Sequence, residues 1–176
     1  DALPIWPSAY QMNGSLVSLY KYQTKEYYHG KKHWPLWAAR LFCLLASPLT
    51  WIFYRGIKLI PIYPGAKLRT TLKESVDAIK SGKSIIIYPE DSTDGYLPIL
   101  KGFHAGFVVL CEQCLKQGID LPIHVAYLNK KDKIYAIDEA ISYSSLKEKY
   151  GSKEEIAQAL CDKMNEISKY TNLVDN

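Results

Sequence analysis

The chain has 176 residues, of which 48% are hydrophobic and 23% charged, which is typical of one globular domain with a sizeable core. Its net charge of +4 suits a weak preference for anionic surfaces or phosphorylated substrates. The basic residues form no dense run and no recognisable nucleic-acid-binding motif, so composition and charge argue against a nucleic-acid partner.

The first 35 residues are rich in Tyr, Ser and Lys and carry the weakest periodicity of the chain. Residues 16–20 are interpreted as a short strand, and residues 22–32 as a loop or the start of a helix. The chain begins with Asp1-Ala-Leu-Pro-Ile, which resembles the middle of a domain more than its start.

Residues 36–54 form the most apolar segment, and their number approaches that needed to span a membrane. Arg40 interrupts the segment, Pro48 is expected to break a helix, and tryptophans crowd it. The pattern therefore favours two short apolar helices around the proline over a spanning helix. They would lie in the core or dip into one leaflet of a membrane.

A β-α-β unit is predicted in the next part of the chain. Residues 58–63 and 85–88 have the β-branched, apolar character of strands. Between them, residues 68–81 form an amphipathic helix that Gly82 ends, with Leu68, Leu72, Val76 and Ile79 on one face. Such a unit connects two parallel strands and should be right-handed.

Residues 102–176 are predicted to form two helices and two strands. Residues 102–117 form an apolar helix, and residues 121–127 and 133–137 are strands joined by a polar turn. The last helix begins at Ser152 and Glu155, which have capping-box spacing, and buries Ile156, Leu160, Met164 and Ile167. The expected fold class is α/β, a single domain with a central, mixed and mostly parallel sheet flanked by helices.

Four cysteines lie in apolar or helical surroundings: Cys43, Cys111, Cys114 and Cys161. Cys111 and Cys114 form a C-x-x-C pair, but they fall within a predicted helix and have no second pair nearby. We therefore predict buried, reduced thiols and a reducing compartment. The histidines show no metal-ligand spacing with carboxylate support, so no metal is predicted.

The most informative segment follows the strand at Ile85–Ile87. Pro89 ends that strand, since proline cannot donate to a ladder, and Glu90 comes directly after it. A turn-rich loop with Gly95 leads to Lys101 beside a glycine, and then to an apolar helix. Polar groups at the end of a strand are typical of the sites of open α/β sheets.

Four blocks in order resemble the PlsC-type glycerophospholipid acyltransferases, the lysophosphatidic-acid acyltransferase group. Gly56-Ile-Lys-Leu-Ile-Pro-Ile-Tyr, Tyr88-Pro-Glu, Leu100-Lys-Gly-Phe and Leu121-Pro-Ile match blocks of this family. The match covers most of the chain from Trp51 to Asn129. Asp1, followed by apolar residues, then matches the aspartate of the family's H-x-x-x-x-D motif, and the catalytic histidine would stand upstream of it.

The resemblance implies transfer of a fatty acyl group from acyl-CoA or acyl carrier protein to a 1-acylglycerol-3-phosphate-like lysophospholipid. No cofactor is implied beyond this thioester co-substrate. Asp1 would orient the catalytic histidine, and the acceptor would be bound by Glu90, Gly95, Lys101, Lys58 and Arg69. The enzyme would work on the cytoplasmic face of a membrane, in contact with it through residues 36–54. Residues 1–176 would be one acyltransferase-like domain, inactive by itself without that histidine.

The chain departs from the family at both arginines that bind the acceptor's phosphate. The second block ends without one, and the third reads Glu90-Asp-Ser-Thr-Asp. Lys58, Arg69 and Lys101 are among the available substitutes, although lysine binds phosphate without the bidentate fork of arginine. The missing arginines also motivate a second hypothesis, a non-catalytic lipid-binding or regulatory member of the same fold.

Overall fold

The computed structural model describes residues 6–9, 14–56, 59–63, 65–90, 97, 99–129 and 133–173. Contacts between residues divide the chain into two compact units, Asp1–Ile87 and Tyr88–Asn176. The assignment of residues 1–176 to one acyltransferase-like domain stays a prediction.

The first unit contains a helical hairpin. Its first arm is helix α1 (Leu16–Tyr22) followed by a π-helical segment (Gln23–Lys31), and its second arm is α2 (Leu36–Gly56). Ser15 begins α1 by accepting the backbone N–H of Ser18 on its hydroxyl at 3.2 Å. The predicted strand at residues 16–20 is therefore wrong, because this cap and the packing of the first arm on α2 outweigh a weak local preference.

Helix α2 runs without a break through Pro48, so the prediction of two short helices is also wrong. Ala39, Cys43 and Ser47 form a buried stripe that continues across the proline position. Ser47 donates its hydroxyl to Gln23 Oε1 at 2.7 Å, which ties the middle of α2 to the first arm. Packing along this stripe maintains the helix where proline removes one backbone hydrogen bond.

The other described residues of the first unit form a parallel pair of strands, a short 3-10 helix (Gly65–Lys67) and one α-helix. Strand β1 (Trp6–Ala9) pairs with β2 (Leu59–Ile62), which confirms a strand within residues 58–63. The Thr71 hydroxyl donates to Pro61 O at 2.7 Å and accepts the Tyr63 N–H at 3.2 Å, which fixes the turn between β2 and α3 (Leu68–Lys80).

Helix α3 confirms the predicted helix, and on its predicted apolar face Val76 is buried and Leu72 and Ile79 are half-buried. Thr71, Ser75 and Ala78 are buried too, whereas Leu68 is exposed. Ile60 of β2 packs against Ala78, so the helix approaches the strand through small side chains. Residues 85–88 carry a single bridge position at Ile85 and form no strand, so the predicted β-α-β unit is wrong.

Within its described residues, the second unit contains three helices and two short antiparallel sheets. Its elements are α4 (Gly106–Leu115), β3 (Pro122–Ile123), β4 (Ala126–Asn129), β5 (Ile134–Ile137), β6 (Ile141–Ser142), α5 (Tyr143–Lys149) and α6 (Lys153–Leu173). Gly118 follows α4 with a φ of +77°, a conformation that favours glycine after a helix. The core joins α4, α5 and α6 through Val108, Leu146, Ile156 and Leu160.

The start of α6 confirms the predicted capping box. Glu155 N–H donates to Ser152 Oγ at 3.2 Å, and Glu155 Oε2 accepts the Ser152 N–H at 3.1 Å. The same carboxylate accepts the Gly151 N–H at 2.8 Å. The predicted apolar stripe is confirmed too, with Ile156 and Leu160 buried and Met164 and Ile167 packed against the core.

The predicted central, mostly parallel sheet is wrong. Across the described ranges the strands form three separate pairs: β1–β2 is parallel, whereas β3–β6 and β4–β5 are antiparallel. The predicted strand 121–127 is interrupted at His124–Val125, and its halves pair with different partners, β6 and β5. In the second unit, hairpin and local antiparallel pairings thus replace the crossovers that a central parallel sheet requires.

Candidate functional site

Two of the sequence blocks meet at the segment that we call the Pro-Glu loop, residues 88–104 without 91–96 and 98. Pro89 O accepts the backbone N–H of His104 at 2.8 Å, and Glu90 pairs with Phe103 in an antiparallel bridge. These contacts place the Tyr-Pro-Glu block directly beside the Leu-Lys-Gly-Phe block. The two ends of the loop are therefore held together by backbone hydrogen bonding.

Helix α6 holds the second of these blocks through Asn165. Its amide oxygen accepts the Leu100 N–H and its amide nitrogen donates to Leu100 O, both at 2.9 Å. Asn165 thus satisfies both backbone groups of Leu100, as a neighbouring strand would. The Cys161 thiol lies 3.7 Å from the same carbonyl oxygen and supplies a second, weaker donor.

The residues after Lys101 are anchored against the second unit's core. Phe103 packs against the cluster that contains Val108 and Leu160. A Cβ atom at Gly102 would stand 3.3 Å from Gln158 Oε1, so a larger residue there would press on α6. Lys101 is consequently attached to a backbone that is fixed on both sides, at Leu100 and at Phe103.

The Pro-Glu loop presents both signs of charge at its surface. Lys101 and His104 are exposed, and Glu90 is half-buried. Partial desolvation, with the nearby Tyr135 and Glu90, raises the pKa of Tyr88, so this exposed phenol remains a hydrogen-bond donor at neutral pH. An ammonium, a carboxylate and a phenol on one loop can bind an acceptor that carries both a phosphate and a hydroxyl.

Only some of the predicted site residues fall on described parts of the chain. The structure brings the blocks of Glu90 and Lys101 together. Arg69 lies in the first unit, exposed in the first turn of α3. Asp1, Lys58 and Gly95 lie outside the described residues.

Sequence reasoning missed Asn165 and Cys161 as residues of this site. Both lie on α6, four residues apart and next to its predicted apolar stripe. A polar side chain such as Asn165, bordering a buried stripe, is the signal that could have indicated a partner for backbone groups.

The four cysteines are buried and free, as predicted. Desolvation, with the neighbouring Cys114, raises the pKa of the Cys111 thiol to about 12. Desolvation also raises the pKa of Cys161, and the carboxylates of Asp162 and Glu90 add to the effect. Since the thiolate is the reactive form, neither cysteine has the character of a nucleophile or of a redox pair at neutral pH.

We expect the Cys111–Cys114 pair to resist a thiol-specific reagent in the folded protein at pH 8 and to react fully after denaturation. Burial keeps both thiols away from the reagent, and the raised pKa of Cys111 keeps it protonated. Mass spectrometry of labelled peptides would measure this. Rapid native labelling of Cys111 would contradict the assignment of an inert structural thiol.

Metal-binding groups and clefts are the other features of the surface that could mark a site. Within the described ranges, no group of three or more His, Cys, Asp or Glu side chains is placed to hold a metal ion. A cleft of about 590 Å³ lies along α5 and α6, lined partly by Leu146, Lys149, Tyr150 and Lys163. Neither Glu90 nor Lys101 lines it.

Comparison with known proteins adds no relative: no protein-family model, no curated protein and no solved structure matches the chain. The likeness to the PlsC-type family therefore depends on the four sequence blocks alone.

Proposed function

We propose that the protein is an O-acyltransferase that moves a fatty acyl group from an acyl-CoA or acyl-carrier-protein thioester to a lysophospholipid-like acceptor. It would work at the cytoplasmic face of a membrane, in phospholipid biosynthesis. The observation that carries the proposal is the pairing of Pro89–Glu90 with Phe103–His104. This pairing joins two family-like blocks, ten residues apart in sequence, into one charged loop.

In this mechanism the Pro-Glu loop binds the acceptor. The Lys101 ammonium attracts the phosphate, and the Glu90 carboxylate accepts a hydrogen bond from the glycerol and orients it. The acceptor's hydroxyl oxygen attacks the thioester carbonyl, a base takes the hydroxyl proton, and the thiol leaves after reprotonation. An ester forms and a thioester breaks, so the step needs no oxidant or reductant.

A histidine is the expected base, because its pKa lies near neutral pH. The family resemblance assigns this role to a histidine upstream of Asp1. His104 is the described histidine whose backbone is bonded to Pro89. His104→Gln separates the two assignments: we expect acyl transfer to persist in this variant, whereas its loss would make His104 the base.

Lys101→Ala tests the acceptor site. Loss of a charge-assisted contact worth about 1.5–3 kcal/mol should raise KM for a lysophosphatidic acid about 10- to 150-fold. Lys101→Arg should restore most of the binding, and Lys169→Ala, at another exposed lysine of the second unit, should leave KM unchanged. Unaltered KM in Lys101→Ala would remove Lys101 from the site.

A non-catalytic lipid-binding protein is the second candidate. It is favoured by the sequence Glu90-Asp-Ser-Thr-Asp, in which acidic and hydroxyl side chains occupy the positions where the family has an arginine. Binding of lysophosphatidic acid that depends on Lys101, without turnover by the complete protein under any donor, would favour this candidate over the enzyme.

A further inference from the structure

Helix α2 has its small side chains inside and its large apolar side chains outside. Ala39, Cys43 and Ser47 face the first arm of the hairpin, while half of the helix circumference is exposed and apolar. That exposed face carries Trp37, Leu41, Leu44, Leu45, Leu49, Ile52 and Phe53, each more than 59% exposed. Small residues at helix contacts and large apolar residues facing outward are typical of helices surrounded by lipid.

The charges around this face are complementary to an anionic surface. Residues 14–56 contain six cations, Lys21, Lys25, Lys31, Lys32, Arg40 and Arg55, but a single carboxylate, Glu26. The hairpin is thus strongly basic in a chain whose total net charge is only +4. An apolar face on a basic helical hairpin suits membranes that contain anionic lipids.

Aromatic side chains are concentrated at both ends of the same helix. Tyr28, Trp34 and Phe42 pack together near its start, with ring centroids 5.0–5.5 Å apart. Near its end, the Arg55 guanidinium lies 4.0 Å over the Trp51 ring. Tryptophan and tyrosine prefer the headgroup level of a bilayer, where the polar edge of the ring is hydrated and the rest of the ring contacts the acyl chains.

Helix α2, with 21 residues, is also long enough to cross a membrane, and it contains an 18-residue stretch with a mean hydropathy of 1.5. The first arm of the hairpin decides against that orientation. Gln23 is bonded to Ser47, near the middle of α2, so exposed Lys21 and Lys25 lie at that level. If α2 spanned the membrane, these lysines and Glu26 would enter the hydrocarbon region, where burying a charged side chain near the bilayer centre costs several kcal/mol of free energy.

We propose that α2 lies in the plane of one leaflet of a membrane that contains anionic phospholipids. Its large apolar face enters the acyl-chain region, and the basic first arm stays at the headgroups. The proposal gives the proposed acyltransferase a lipid class and an orientation for its membrane contact. It is tested without acceptor or thioester, so its failure is distinguishable from failure of acyl transfer.

The test is flotation with phosphatidylcholine vesicles, with and without phosphatidylglycerol. We expect binding at least about tenfold stronger to the anionic vesicles, and weaker in high salt. Leu45→Asp with Leu49→Asp should reduce this binding at least about tenfold, since both side chains belong to the inserted face. Leu128→Asp, at an exposed leucine of the second unit, is the matched control and should bind like the unchanged protein.

Orientation is read from tryptophan quenching by lipids brominated at different depths. In a variant that keeps Trp37 and has phenylalanine at the other three tryptophan positions, Trp37 should be quenched most by bromines in the upper part of the acyl chains, and alkaline carbonate should release the protein from membranes. Equal binding to neutral and anionic vesicles, or unchanged binding by the double variant, would overturn the proposal. So would alkaline resistance with quenching by bromines at the bilayer centre, or a dimer that the double variant abolishes without any vesicle binding.

Discussion

Leu160→Ala will lower the free energy of unfolding of the second unit by about 2–5 kcal/mol. Leu160 is 3% exposed and lies in the core cluster that α4, α5 and α6 share. Truncation removes buried apolar surface and leaves a cavity, because Val108 and Ile156 are held by their own helices and cannot collapse fully into the space. Few single substitutions in this unit should lower its free energy of unfolding by more.

The matched control is Leu128→Ala, where the leucine is 53% exposed on β4. It should change stability by less than about 0.5 kcal/mol, as surface substitutions usually do. Hydrogen exchange of the amides in α4, α5 and α6 separates this unit from the rest of the chain. Equal effects of the two substitutions would mean that α6 does not pack as described.

Sequence periodicity predicted the helices well where side chains and backbone signals agree. In α6, the capping box at Ser152 and Glu155 and the stripe from Ile156 to Ile167 are local signals that indicate the same helix. In α3 the helix is confirmed, but its buried face extends to Thr71 and Ser75. The hydrogen bonds of Thr71 to the end of β2 are tertiary contacts that periodicity does not contain.

The sheet could not be predicted in the same way, because strand pairing depends on partners that lie outside the pattern of the strand itself. Pro122–Ile123 and Ala126–Asn129 read as one apolar run, yet they pair with different strands. The prediction for helix α2 was wrong for a different reason. Pro48 was expected to break the helix, but the buried stripe of Ala39, Cys43 and Ser47 and the hydrogen bond of Ser47 to Gln23 are tertiary contacts that continue it past the proline.

Part of the candidate site followed from local sequence, and part required the fold. Glu90 and Lys101 were identified from residue types next to a predicted strand end, and the structure joins their two segments. The hydrogen bonds by which α6 holds Leu100 could not be predicted from the sequence, since Asn165 is 65 residues from Leu100. Side chains that bond to backbone groups at such separations leave no pattern in the sequence.

Asn165→Ala will free the Leu100 backbone and, with it, the position of Lys101. Both hydrogen bonds from Asn165 to Leu100 are 2.9 Å long, and Leu100 is half-buried, so the freed N–H and C=O regain water incompletely. The loss should cost about 1–3 kcal/mol. The Leu100 amide should then exchange about 10- to 100-fold faster, a structural result that does not depend on any activity.

If the proposed acyltransferase reaction is correct, Asn165→Ala will also raise KM for a lysophosphatidic acid without a comparable change in kcat. Asn165 acts through Lys101 as a positioning residue, so a misplaced ammonium should weaken ground-state and transition-state binding alike.

Asn165→Asp should not restore binding at neutral pH, because its carboxylate can accept the Leu100 N–H but repels Leu100 O. Below the ordinary pKa of a carboxyl group, its protonated form can donate to Leu100 O and should slow Leu100 exchange again. Glu166→Ala, at the next and exposed position of α6, is the matched control. Fast exchange at Leu100 with an unchanged KM would separate the loop's structure from the proposed acceptor site, whereas unchanged exchange would contradict the contact itself.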